Sequence, residues 1–275
     1  MRFHRAPEPA LVIFLLTVWF LVGGDFALAQ QEPSSLQPEL VPSDVTATAP
    51  APVRRELTLE ERGDLALARK SFRDAVDYYR RAIRENGDKE AGLWNKLGIA
   101  HQQVLDYKQA RKAYERAAKL DRQFAEPWNN LGTTYFLDNK TKKSIKYYRR
   151  ALQINSSNAS FHLNLGTALY HRKKYAEAID SYRTALEIDP RILSDRSTVG
   201  TVMQTRGADA RFYFYMAKVF ASLGRAEEAV RFLRRALEDG FKDFKRIDAD
   251  PDLQKISEFP DYVQLRANPP IPIRD

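Results

Sequence analysis

The sequence has no cysteine. That excludes disulfides, thiolate metal sites and cysteine nucleophiles, so stability has to come from packing alone. Histidine is scarce too, with only His4, His101, His162 and His171. None stands at motif spacing from a nucleophile, a carboxylate pair or another ligand, so no catalytic or metal site is expected. No glycine-rich phosphate loop is present, and no cofactor is expected. Glycine (12) and proline (14) are few, and many of the prolines lie near the two ends. The middle therefore runs long without helix breakers.

Long apolar runs are also missing, save one near the start. Arg2 and Arg5 precede an apolar stretch at 10–22, broken by Gly23 and Gly24 and followed by Ala27-Leu28-Ala29-Gln30. A basic start, an apolar centre and small residues before a cleavage site make a secretory signal at 1–29, cut after Ala29. The stretch falls short of the roughly 20 apolar residues a bilayer span needs. The alternative is an uncleaved signal that anchors the chain in the inner membrane. No cysteine follows, which rules out lipid attachment of the bacterial lipoprotein kind. Residues 30–55 carry Pro33, Pro38, Pro42, Pro50 and Pro52 among Ser, Thr and Ala, which predicts an extended, disordered linker. The expected destination is outside the cytoplasm, periplasmic or secreted.

What the chain does have is a repeat. Small residues recur at Gly63, Gly98, Gly132, Gly166 and Ala217, and again at Ala75, Ala110, Ser144, Ala178 and Ala229. Large residues recur at Tyr79, Tyr114, Tyr148, Tyr182 and Leu233, and alanines at Ala82, Ala117, Ala151, Ala185 and Ala236. All four series advance by 35, 34, 34 and then 51. Each unit reads as two antiparallel helices. The small residues let the helices approach, and the bulky ones are expected to fill the spaces between hairpins. One hairpin cannot bury its apolar face alone, so neighbours must stack.

Trp94-Asn95-Lys96-Leu97-Gly98 and Trp128-Asn129-Asn130-Leu131-Gly132, each followed by a small-x-x-x-Tyr-x-x-Ala helix, resemble the signature of the tetratricopeptide repeat family. The fourth unit keeps Leu165, Gly166, Ala178, Tyr182, Ala185 and the closing Asp189-Pro190. The end units depart from the pattern, with Arg62 for Leu in the first and Met216-Ala217 for Leu-Gly in the fifth. The resemblance implies an all-α, right-handed solenoid of about five hairpins over 57–240. The units fall near 57–88, 91–124, 125–158, 159–190 and 210–240.

The long last step leaves an insertion at 191–209, whose centre, Thr198 to Val202, favours extended backbone. It is either a loop folded onto the array or a mobile insertion. Residues 241–275 form a cap and tail. Asp250-Pro251 starts a helix over 251–256, another covers 260–267, and Pro269, Pro270 and Pro272 extend the end.

In this family the first helices line a concave groove that takes peptides. The resemblance places Asn95, Lys96, Ile99, Gln102 and Gln103 there from unit two. Unit three gives Asn129, Asn130, Thr133, Phe136 and Leu137, and unit four gives Asn164, Thr167, Tyr170 and His171. Asn130 and Asn164 are equivalent, and side-chain amides can hold a peptide backbone without reading its sequence. Phe136, Leu137 and Tyr170 would add apolar anchors. Of the cations that clamp an acidic C-terminal tail in some relatives, only Lys96 is present.

The net charge of +8 admits nucleic acid, anionic lipid or an acidic protein as partner. Basic residues gather on the second helices and the following turn: Lys142, Lys143, Lys146, Arg149, Arg150, Lys173 and Lys174. No nucleic-acid module appears, and the export signal argues against that partner. The sequence therefore reads as a non-enzymatic scaffold or adaptor in the cell envelope, binding an unidentified protein or peptide in the groove. The alternative is a peripheral binder of anionic membrane or cell-wall surfaces through the basic face, which also reads simply as a solvated face. The oligomeric state is not legible.

Overall fold

The computed structural model describes residues 55–86, 88–193 and 209–273. The expected signal, nearly all of the expected linker and the Thr198–Val202 centre of the expected insertion lie outside these residues. The described residues form thirteen helices and no strand. They pair as hairpins: α1 (Leu59–Ala68) with α2 (Phe72–Glu85), α3 (Ala91–Gln103) with α4 (Tyr107–Leu120), and α5 (Ala125–Leu137) with α6 (Thr141–Ile154). Then follow α7 (Ala159–His171) with α8 (Tyr175–Ile188), and α9 (Ala210–Ser222) with α10 (Ala226–Glu238).

Several helix starts follow from their capping residues. Thr58 Oγ1 accepts from Glu61 N at 3.2 Å, and Glu61 accepts in return from Thr58 N at 2.8 Å. This reciprocal box satisfies two of the N–H groups that open α1. Asp106, Asn158 and Asp209 cap α4, α7 and α9 in the same sense, each accepting from the backbone three residues on. Within each hairpin the turn needs a left-handed residue. Lys70, Leu105, Asn139 and Lys173 have φ of 62°, 62°, 58° and 60°, and Gly224 has 70°. These positions keep the repeat spacing, so one turn geometry is used five times. Only the fifth hairpin supplies the glycine that suits it.

Tyr79, Tyr114, Tyr148 and Tyr182 are essentially fully buried. Each ring lies within its own hairpin, on the glycine sixteen residues before it. A β-carbon at Gly63, Gly98, Gly132 or Gly166 would stand 2.5–2.7 Å from that ring. The glycine makes room first for that ring, and at Gly166 the backbone carbonyl of Ala178 would also stand 3.3 Å from the added carbon. The rings also reach the next hairpin, as expected: Tyr182 meets Phe212 of α9 edge-on with ring centres 6.0 Å apart, and Tyr114 clusters with Leu131 of α5. Each phenol is then carried across to the first helix. Tyr79 Oη donates to Asp64, Tyr114 to Gln102, Tyr148 to Thr133 and Tyr182 to Thr167, at 2.7, 3.2, 3.2 and 3.3 Å. Burial pushes all four phenols well above the usual tyrosine range.

Each second helix also packs on the next first helix, so the hairpins stack in order. The stacking continues across the insertion, because α8 packs directly on α9. One apolar cluster runs from Phe136 through hairpins four and five into the cap. The cap is α11 (Phe244–Asp248), α12 (Pro251–Gln254) and α13 (Pro260–Ala267). Helix α13 has the expected bounds, α12 stops two residues short of them, and α11 is additional. α12 lies on α9 and α13 on α10, which covers the open face of the last hairpin. Buried Asp250 holds the junction: its carboxylate accepts from Asp252 N and Leu253 N and pairs with Lys218 of α9 at 2.6 Å.

Candidate functional site

The first helices α3, α5 and α7 carry the groove residues named from the sequence. Their amides are joined to one another. Asn164 Nδ2 donates to Asn129 Oδ1 at 3.0 Å, Asn129 Nδ2 to Asn130 Oδ1 at 3.3 Å, and Asn130 Nδ2 to Asn95 Oδ1 at 3.0 Å. The result is one directed chain of four amides across three hairpins. Asn95 and Asn129 are buried, while Asn130 and Asn164 stay half-exposed. An amide has two N–H groups and a carbonyl with two lone pairs. Asn130 and Asn164 therefore keep unused donors and acceptors on the surface.

Several of the other named residues prove to be internal ties. Lys96 Nζ sits 2.8 Å from Glu60 and 2.7 Å from Asp64, which fastens α3 to α1. With two carboxylates already around it, Lys96 is no clamp for an acidic tail. Gln102 Oε1 accepts from Tyr114 Oη and from Thr134 Oγ1, both at 3.2 Å. Thr133 and Thr167 are buried beneath their tyrosines. Phe136 is wholly buried, so its ring packs in the core instead of anchoring a partner. It meets the half-exposed His171 edge-on, with ring centres 5.1 Å apart.

Tyr170 Oη donates to Asp209 Oδ1 at 2.5 Å, and the same oxygen caps α9. Burial and the Asp209 charge raise the Tyr170 phenol well above its usual range. Its ring lies edge-on to Phe212, 5.5 Å away. Tyr170 thus ties hairpin four to hairpin five across the insertion. Ile99, Gln103 and Leu137 are half-buried on the same helices.

The basic residues of hairpins three and four gather at a cleft of about 770 Å³. Lys142, Lys146, Arg149 and Arg150 line it from α6, and Lys174 from the turn before α8. Glu177 is shared by Arg149 and Lys174, each at 2.7 Å. Those two cations hold the Glu177 carboxyl below its ordinary range. Lys142 and Lys146 have no carboxylate partner among the described residues. Lys143 leans over the Tyr135 ring instead, 5.4 Å from its centre. Lys173 is the left-handed residue of its hairpin turn.

Among the lining residues that sequence reasoning missed are two aromatics, Trp128 and Tyr147. Trp128 was absorbed into the repeat signature. Its rings and those of Tyr147 are stacked with centres 6.2 Å apart, and Tyr135 stacks on Tyr147 at 5.2 Å.

Models of the tetratricopeptide repeat match residues 60–105, 91–124, 125–158, 159–192 and 210–238, which together span more than half of the chain. No curated protein matches it by sequence. Among solved structures, the crystal structure of MamA is 21% identical, covers 66% of this chain and 96% of its own, and gives a TM-score of 0.47. YrrB, described as a TPR protein with an unusual peptide-binding site, is 18% identical over 68% of this chain and 87% of its own, with a TM-score of 0.44. A thermophilic TPR protein of Thermus thermophilus, TTC0263, is 16% identical over 71% and 97%, with a TM-score of 0.46.

Proposed function

The chain belongs to the tetratricopeptide repeat family, whose fold is that of a protein-interaction scaffold, and we propose that it serves as a non-enzymatic adaptor of the cell envelope. In this reading an extended segment of a partner protein lies along the first helices. The observation that carries it is the amide chain from Asn164 to Asn95. Its members fix one another's orientation, so little side-chain entropy is lost when a peptide docks. The half-exposed Asn130 and Asn164 still offer donors and acceptors at hairpin spacing. A peptide backbone needs both, whatever its side chains. The envelope location rests on the export signal read at residues 1–29.

Site-specific photo-cross-linking in intact cells tests the groove. A cross-linking residue at Gln103 or Leu137, on α3 and α5, should trap one and the same partner. The same residue at exposed Lys112, on the second helix α4, should trap none. Adducts from Lys112 alone, or no adduct from either groove position, would sink the groove reading. Recovery of the protein from the cytoplasmic fraction would sink the envelope assignment.

A further inference from the structure

Hairpin two shows what its signature tryptophan does. Trp94 Nε1 donates to Asp88 Oδ1 at 2.6 Å, and Arg116 Nη2 donates to Asp88 Oδ2 at 3.0 Å. One carboxylate thus bridges an indole N–H and a guanidinium. In hairpin four the ring is His162, and its Nε2 meets the carbonyl of Ser156 at 2.8 Å. In both hairpins the partner lies six residues before the ring.

Hairpin three has the donors without the bridging carboxylate, and Arg150 Nη1 donates instead to Gln153 Oε1 at 3.2 Å. Trp128 and Arg150 stand 34 residues after Trp94 and Arg116, and the guanidinium lies 5.7 Å from the centre of the Trp128 ring. The residue six before Trp128 is Arg122, a cation where hairpin two has Asp88. Trp128 Nε1 is buried and has no hydrogen-bond partner. An indole N–H is a donor only, and burying it unpaired is unfavourable. The Tyr135–Tyr147–Trp128 stack fixes the ring in place. Trp128 and Arg150 also line the basic cleft, together with Lys142, Lys146 and Arg172, none of which has a carboxylate partner among the described residues.

We propose that Trp128 and Arg150 form a carboxylate-binding pair within this cleft, which takes an acidic segment of a partner protein. An Asp or Glu of that segment stands where Asp88 stands in hairpin two. The neighbouring lysines and Arg172 receive its further carboxylates. A protein segment is favoured over a membrane because the pair belongs to a cleft, which a side chain enters and a flat bilayer does not. The site is separate from the first-helix groove and does not depend on it.

A short fluorescein-labelled peptide of alternating Glu and Gly tests the pair by fluorescence anisotropy on the purified protein. A peptide with Gln for Glu is the control. The Glu peptide should bind, and its titration should move the indole N–H resonance of Trp128 while that of Trp94 stays. Arg150→Gln and Trp128→Phe should each weaken binding about tenfold, the usual worth of one charge-assisted hydrogen bond. Arg122→Asp should restore the internal acceptor of hairpin two, so it should abolish peptide binding without lowering the melting temperature. It should also leave cross-linking from Gln103 unchanged. Equal binding of the Gln peptide, or wild-type affinity in Arg122→Asp, would overturn the proposal. So would binding confined to phosphatidylglycerol vesicles, which would make the cleft a membrane contact.

Discussion

The ring of Tyr148 lies directly on Gly132, so closely that a β-carbon on the glycine would stand 2.6 Å from the ring. The ring is buried and its hydroxyl is held by Thr133, so it has no easy way to withdraw. Gly132→Ala should therefore destabilise the array by about 1–3 kcal/mol, as overpacking does. Gly92→Ala is the matched control, because nothing lies within 4 Å of its added carbon. There the gain in helix propensity should stabilise by up to about 1 kcal/mol. Urea melts of the two variants should move in opposite directions.

Leu105 is exposed in a left-handed turn, at φ 62°. A branched side chain is strained in that conformation, whereas glycine is not. Leu105→Gly should stabilise by about 1 kcal/mol, and Gly224→Ala should destabilise by a similar amount. A fall in melting temperature for Leu105→Gly would show that the turn is not held left-handed in solution.

Buried His101 predicts acid sensitivity. Desolvation lowers its pKa, and Arg80 beside it lowers it further, against a smaller opposing pull from Asp106. The unfolded chain then binds a proton at higher pH than the folded chain does. Stability from this group is whole above its ordinary value of about 6.5 and is lost as pH falls towards the lower folded value. His101→Gln should lose less stability than wild type between neutral pH and the mildly acid range, measured by urea melts at each pH. Parallel losses in the two proteins would remove His101 as the cause.

The amide chain makes Asn130 a shared member of two hydrogen bonds. Asn130→Ala leaves Asn95 and Asn129 each without one partner, at a cost of about 1–2 kcal/mol. Asn95→Ala and Asn130→Ala should be non-additive, with a coupling of at least about 0.5 kcal/mol in a double-mutant cycle. Additive losses would mean that the two amides do not act together.

Asp250 caps α12 and pairs with Lys218 in a buried junction. Asp250→Ala strands the ammonium and removes the cap, so a loss of about 3 kcal/mol or more is expected. Lys218→Met, which removes the charge it would strand, should recover part of that loss in the double variant. No recovery would show that the ion pair is not what joins cap and array.

The spacing of Gly63, Gly98, Gly132, Gly166 and Ala217 determined the fold, because hairpins that share one register can bury their faces only by stacking. The bounds of α13 and the start of α12 were equally legible, since Pro260 and Asp250-Pro251 act locally. Helix α11 was not, because five residues carry too little periodicity to read. The internal contacts of the groove residues were not legible, for a different reason. Lys96, Thr133, Phe136 and Tyr170 stand at family groove positions, yet each is occupied by a partner distant in sequence. Only packing brings Asp64 to Lys96, or Asp209 to Tyr170. The missing acceptor of Trp128 lay between these cases. The change from Asp88 to Arg122 is written in the chain, but its meaning needed the bridge from Trp94 to Arg116 in three dimensions. Repetition fixes which helices meet, because apolar burial depends on pattern. Which polar groups are left over was decided by the tertiary structure, because hydrogen bonds depend on distance.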